Sequence, residues 1–151
     1  MKLVLDTSIL VAALRSKRGA SRELLRLMAA DTFTALVSVP LFLEYESVLK
    51  RPEHLLASGL LRPELVDRFL DSFLLHTEPV SVSYLWRPQL SDPADEMVLE
   101  AAVNGRADWI VTHNVRHFFA PAKKFNFGVA APAPILHKLH KLAEGFDYAS
   151  K

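Results

Sequence analysis

Short apolar runs recur along this chain at helix-length intervals, and that alternation constrains its fold more than any other feature. Leu3-Val4-Leu5, Thr34-Ala35-Leu36-Val37-Ser38-Val39, Val80-Ser81-Val82 and Trp109-Ile110-Val111 are too short for buried helices and rich in β-formers. Between them, apolar residues recur at helical spacing, as in Leu24, Leu25, Leu27 and Met28, or Leu65, Val66, Phe69, Leu70, Phe73 and Leu74. Strands separated by helices need crossover connections, which makes them parallel and covers both faces of their sheet. The pattern therefore predicts an α/β fold with a central parallel sheet.

Punctuation along the chain sharpens the elements. A helix is expected directly after Asp6-Thr7-Ser8, and a second after the break at Gly19, with Ser21 as its cap. Pro40 suits the first turn of a helix carrying Leu41, Tyr45, Val48 and Leu49, which Pro52 ends, and Pro63-Glu64 opens the next. A proline-punctuated loop from Arg87 to Pro93 leads into a helix from about Ala94 to Val103, stopped by Gly105. Phe125 to Pro134 reads as irregular or strand-like, Lys123-Lys124 as loop, and Ile135 to Leu142 as a final amphipathic helix. No repeat, low-complexity tract or linker interrupts residues 1–151, which are expected to form one domain.

Composition narrows the chemistry. The absence of cysteine excludes a disulfide framework, a thiolate zinc site and a cysteine nucleophile together. Half of the residues are hydrophobic, which excludes a disordered chain. Eighteen Lys and Arg against seventeen Asp and Glu leave a net charge of +1, so a nucleic-acid site would have to arise from local charge arrangement. Asp6 interrupts the apolar start where a signal peptide would continue, and no apolar stretch approaches the roughly 20 residues of a membrane span. A cytoplasmic protein without membrane contact is the expectation.

Ligands of an open parallel sheet bind beyond the carboxyl ends of its strands. Asp6-Thr7-Ser8 and Thr112-His113-Asn114 both follow predicted strands, while Glu44 and the pair Asp92/Asp95 lie in the first turns of predicted helices. Four segments thus aim short acidic or amide side chains at one rim. Clustered carboxylates repel unless a cation lies between them, and oxygen ligands without cysteine suit Mg²⁺ or Mn²⁺. Taken singly, an Asp or Ser after a strand is more often a helix cap, and Asp92-Pro93-Ala94-Asp95 can be read wholly as a capping element. The combination carries the inference.

Four motifs together resemble the PIN-domain ribonucleases. They are Leu3-Val4-Leu5-Asp6-Thr7-Ser8-Ile9-Leu10-Val11, Leu43-Glu44-Tyr45-Glu46-Ser47-Val48-Leu49, Asp92-Pro93-Ala94-Asp95-Glu96-Met97-Val98-Leu99-Glu100-Ala101-Ala102, and Ala107-Asp108-Trp109-Ile110-Val111-Thr112-His113-Asn114. The chain is most similar to the branch of toxin components akin to the VapC toxins. The resemblance spans residues 3–140 and implies a three-layer α/β/α sandwich around a mainly parallel sheet of four to five strands. It also implies a Mg²⁺- or Mn²⁺-dependent endoribonuclease. Asp6, Glu44 and Asp95 match its metal-associated acids, and Asn114 stands at its fourth acidic position. Ser8 stands where the family more often has Asn, with Asp92 as an auxiliary acid and Thr112 as a polar ligand to metal-bound water or phosphate. An RNA substrate, a cognate antitoxin that fills the groove and a homodimer follow from the same resemblance. The apolar stretch Leu55 to Leu61 could serve such contacts or simply belong to the core.

Arg15, Lys17, Arg18 and Arg116 are candidates to hold the RNA backbone, although basic residues also suit helix C-termini. His137 and His140 read as a solvated helix face, and His117-Phe118 as a positional turn after the fourth strand. A phosphatase of the haloacid-dehalogenase type would need a second aspartate at position 8, where Ser stands. A nucleotide-binding module would need a glycine-rich loop that the five glycines do not form. The remaining alternative is a PIN fold that has lost cleavage and binds RNA or a protein partner, which Asn114 and Ser8 favour.

Overall fold

The computed structural model describes residues 1–83 and 88–149. Its centre is a five-stranded, wholly parallel sheet in the order β3-β2-β1-β4-β5. The strands are β1 (Lys2–Leu5), β2 (Thr34–Val37), β3 (Thr77–Pro79), β4 (Trp109–Val111) and β5 (Gly128–Ala130). The helices are α1 (Thr7–Arg15), α2 (Ala20–Ala29), α3 (Val39–Leu49), α4 (Pro52–Ser58), α5 (Pro63–Leu74), α6 (Pro93–Gly105), α7 (Phe119–Phe125) and α8 (Pro132–Ala149). They flank the sheet as the α/β/α sandwich expected from the sequence. Packing unites α2 with α1 and α8, while α6 lies on α3 and crosses β1, β2 and β4.

Continuous apolar runs became central strands because both of their faces are covered. Leu3, Val4 and Leu5 in β1, and Ile110 and Val111 in β4, retain at most 1% of their accessible surface. The helices contribute Ile9, Leu10, Leu24, Leu41, Leu70 and Leu99 to the same core. Among the described residues no helix is long and apolar enough to cross a membrane.

Several boundaries differ from expectation for identifiable reasons. The third strand is Thr77–Pro79, not Val80-Ser81-Val82. The Val80 N–H still reaches the Val37 carbonyl at 2.8 Å, but β2 ends there, and the Ser83 N–H turns to the Asn104 side chain instead. Pro79, which lacks an N–H, is tolerated because β3 is an edge strand. The helix α6 runs past Val103 and ends at Gly105 itself, and Arg106 takes the left-handed conformation at φ 53°. Glycine is needed at 105 because a Cβ there would lie 2.8 Å from side-chain carbons of both Leu36 and Val80.

Ser21 is not a cap either. Gly19 occupies that position, and Ser21 is buried in the first turn of α2. Pro40 does lie in the first turn of α3, where the Ser38 hydroxyl accepts the Leu41 N–H at 3.2 Å. Pro52 opens a further short helix, α4, closed by Gly59 at φ 74°. Lys123 and Lys124 fall in the last turn of α7 rather than in a loop, β5 lies within the stretch read as strand-like, and α8 extends well beyond both ends of the final helix expected from the sequence. Arg87, at the start of the expected loop, lies outside the described residues.

Two contacts pin the sheet, one at the carboxyl end of β1 and one at the amino ends of β4 and β5. The fully buried Tyr45 donates its hydroxyl to the backbone carbonyl of Leu5, the last residue of β1, and packs edge-on against Phe73 with ring centroids 5.7 Å apart. Gly128 lets β5 approach Trp109, whose ring also lies under the Lys138 ammonium at 4.9 Å.

Gly128→Ala would bring a Cβ within 2.3 Å of the Trp109 ring. It is expected to cost about 1–3 kcal/mol in urea unfolding, with a shift in indole fluorescence as the ring moves. Tyr45→Phe strips a buried carbonyl of its donor and is expected to cost about 1–3 kcal/mol at neutral pH. Burial, and then the Asp6 carboxylate, hold the Tyr45 phenol well above its ordinary range. The folded state therefore keeps a proton that the unfolded chain releases above about pH 10, so stability falls as pH rises through that value. The gap between wild type and Tyr45→Phe should narrow between neutral pH and pH 11, and a gap that stays constant would contradict this assignment.

Candidate active site

At the carboxyl end of β1 the chain turns directly into α1, with Asp6 in the N-cap position. Its carboxylate nevertheless caps nothing. Instead, Oδ2 accepts hydrogen bonds from the Ser8 hydroxyl at 2.8 Å and the Thr112 hydroxyl at 2.7 Å. No donor among the described residues meets Oδ1. Asp6 is only 5% exposed, so these two hydroxyls replace much of the hydration that the charge loses.

Both hydroxyls also organise the segment that follows β4. The Ser8 oxygen accepts the His113 N–H at 3.3 Å, and the Thr112 oxygen accepts the Asn114 N–H at 2.9 Å. Thr112 is fully buried, and its hydroxyl braces Asp6. Asn114 itself is exposed and precedes a 3-10 turn, Val115–Phe118, without capping it through its side chain.

Asp95 enters from the first turn of α6 and is 7% exposed. Its Oδ2 lies 2.9 Å from Nδ1 of His117 in the 3-10 turn. Burial raises the Asp95 carboxyl above its ordinary range against the downward pull of that hydrogen bond, and the carboxylates of Asp6 and Asp92 add to the rise. Asp95 on α6 therefore feels the charge of Asp6 at the end of β1. Asp92 is exposed and caps α6, accepting the Ala94 N–H at 3.0 Å. Ser91, Asp92, Asp95 and His117 line a small cleft of about 80 Å³.

The remaining candidates are more dispersed. Glu44 lies on α3 one residue before Tyr45 and is half-buried. Arg15 ends α1 and meets Nδ1 of His54 at 3.1 Å. Arg18 is exposed three residues before Ser21, whose hydroxyl lies 3.2 Å from Nε2 of His113, so chain length alone holds it within about 10 Å of the rim. Lys17 is exposed beside it, and Arg116 is exposed within the 3-10 turn. His137 and His140 are exposed on α8. Among the described residues, no group of three or more His, Asp and Glu side chains is arranged to hold a metal ion.

Sequence reasoning assigned His117 to a turn and missed its bond to an acid 22 residues earlier, for which no spacing rule provides a signal. It also passed over Glu96. This carboxylate is buried, and its Oε1 accepts the backbone N–H groups of Gln89 and Leu90 at 2.7 and 2.8 Å, tying the loop before α6 to the helix.

The geometry agrees with what comparison with known proteins returns. A family model described as PIN domain matches residues 2–116. Among solved structures, a chain in the crystal structure of VapBC2 from Rickettsia felis, bound to a DNA fragment from the promoter, superposes with a TM-score of 0.57. The two are 20% identical, and the match covers 85% of this chain and 97% of that one, which establishes a shared fold. No curated protein matches the sequence. The extent of the family match, with the parallel sheet and the acids at its carboxyl edge, places this chain in the PIN domain family.

Proposed function

We propose that this protein is a Mg²⁺- or Mn²⁺-dependent endoribonuclease and the toxin of a toxin–antitoxin pair. The observation that carries the proposal is the pair Asp6 and Asp95: two nearly buried carboxylates on different elements, the charge of Asp6 adding to the rise of the Asp95 carboxyl, each with one oxygen held by the protein. A fold keeps such a pair only against a cost in repulsion and desolvation, and a cation between the two relieves both. Mg²⁺ fits this donor set well, because it commonly takes only one or two protein carboxylates and completes its shell with water and substrate phosphate.

Asp6 and Asp95 would hold the ion, with Glu44 acting through water and Asn114 as a neutral oxygen donor at the rim. When bound, a divalent ion supplies Lewis-acid activation of water and neutralises charge on the scissile phosphate. The chain's own residues do the rest. Ser8 and Thr112 fix the Asp6 rotamer, Asp92 and His117 border the cleft, and Arg116 and Arg18, with Arg15 further off, attract the RNA backbone by counterion release. Hydrolysis would leave a 5′-phosphate and a 3′-hydroxyl, with no side-chain nucleophile required.

The structural neighbour's membership of a VapBC assembly supports an antitoxin partner here, and a cytoplasmic setting goes with an RNA substrate. Exposed apolar side chains on α3, α4 and the following turn suit a protein partner or a homodimer contact: Val39, Leu43, Leu56 and Leu61 each expose more than half of their surface. The second reading, a PIN fold that binds without cutting, is favoured by Asn114, which removes one negative charge from the family's acidic set.

Asp6→Asn separates the two. It preserves an acceptor for Ser8 and Thr112, removes the charge and relieves repulsion with Asp95, so the melting temperature should hold or rise. Incubation of purified protein with total RNA and Mg²⁺ or Mn²⁺ should yield mapped cleavage ends for wild type and none above background for Asp6→Asn. Equal cleavage by the variant would remove Asp6 from the mechanism. Failure of wild type both to cut and to take up Mn²⁺ would favour the non-cleaving module.

A further inference from the structure

The one histidine bonded to an acid of the cleft does more than border it. His117 lies in the 3-10 turn Val115–Phe118, where its backbone N–H donates to the Asn114 carbonyl at 3.0 Å and the neighbouring Phe118 is fully buried. The ring therefore projects from an anchored turn rather than from a loose loop. Nδ1 meets Oδ2 of Asp95 at 2.9 Å, and no protein group among the described residues meets Nε2. A carboxylate only accepts hydrogen bonds, so the proton of this pair resides on Nδ1, and that fixes the tautomer of a neutral ring.

The bond selects one rotamer of Asp95. With Oδ2 occupied, Oδ1 is the oxygen left for a ligand, just as Ser8 and Thr112 occupy Oδ2 of Asp6 and leave its Oδ1. The two acids come from α6 and β1, yet each presents one oxygen and has the other restrained by a neighbour outside the acidic set. We propose that His117 is the positioning residue of Asp95, donating through Nδ1 to hold that carboxylate ready for a divalent cation. The proposal rests on the nuclease reading above, in which Asp95 serves the cation. Groups that orient metal-binding carboxylates typically contribute tenfold to a hundredfold in metal affinity.

Three substitutions distinguish the nitrogens. In His117→Asn the amide nitrogen falls near the place of Nδ1 and can still donate to Asp95. In His117→Gln it falls nearer Nε2, and His117→Ala has neither. Mn²⁺ binding measured by calorimetry without RNA should stay within about threefold of wild type for Asn, and weaken about tenfold to a hundredfold for Gln and Ala. In steady-state cleavage the Ala deficit should shrink as Mn²⁺ is raised, with the KM for RNA little changed. Wild-type affinity in His117→Ala would overturn the inference. So would rescue by Gln and not by Asn, which would put Nε2 on the substrate. If Ala proves too unstable to assay, the Asn and Gln pair still decides. A wild type that neither binds Mn²⁺ nor cleaves RNA would instead overturn the nuclease reading itself, whereas wild-type binding that His117→Ala retains overturns this step alone.

Discussion

The rim of the sheet depends on one buried carboxylate and the two hydroxyls that hold it. Asp6 sits where the central strand stops, and a charge that is 5% exposed would be costly there without donors. Ser8 supplies one from α1 and Thr112 supplies the other from beyond β4, so a single oxygen joins two neighbouring strand ends. Those hydroxyls then accept the N–H groups of His113 and Asn114, and the direction of the chain leaving β4 follows from the same bonds. Tyr45 completes the arrangement from below by gripping the Leu5 carbonyl. The acid, the turn that faces it and the helix carrying Glu44 are one hydrogen-bonded unit, which is why disturbing any member should be felt at Asp6.

The opposing wall is built by dividing labour over little more than one turn of α6. Asp92 spends its carboxylate on the helix N-terminus, where the first N–H groups have no partner of their own. Asp95, three residues on, meets the cleft and His117, whereas Glu96 is rotated about 100° further around the axis and faces the preceding loop. Glu96 is buried, its Oε2 without a partner among the described residues, and its Oε1 accepts two backbone N–H groups. The adjacent Gln89 side chain in turn accepts from Lys124 of α7 at 3.0 Å. The loop, α6 and α7 are thereby fastened together.

Much of this was legible in the sequence, and the exceptions share a cause. Central strands β1 and β4 announced themselves because burial on both faces demands uninterrupted apolar residues, and Asp6 followed as the first polar residue beyond the sheet. Edge strand β3 was misplaced because an edge needs neither alternation nor every N–H, so Val80-Ser81-Val82 looked more like a strand than Thr77-Glu78-Pro79. Gly105 ends α6 as its residue type suggests, but it also packs closely against Leu36 and Val80, a long-range demand that local preferences do not express. The acids were identifiable as types at helix starts and strand ends. Which of them caps a helix and which does not was less legible, because Asp6 and Asp92 occupy the same kind of position and Thr112, which holds Asp6, comes from 106 residues along the chain.

The near-neutral net charge takes on a different meaning once these positions are known. The +1 balance averages a rim bearing Asp6, Asp92 and Asp95 against exposed Arg18 and Arg116 nearby, so a polyanion would meet a repulsive centre with attractive margins. Basic margins alone would steer a polyanion toward the cleft without letting its phosphate settle between the carboxylates. In the nuclease reading a divalent cation therefore serves binding as well as chemistry, and the two salts in the medium act in opposite directions. Monovalent salt weakens the hold of the margins through counterion release, whereas the divalent ion converts the centre from a barrier into the place where the phosphate rests.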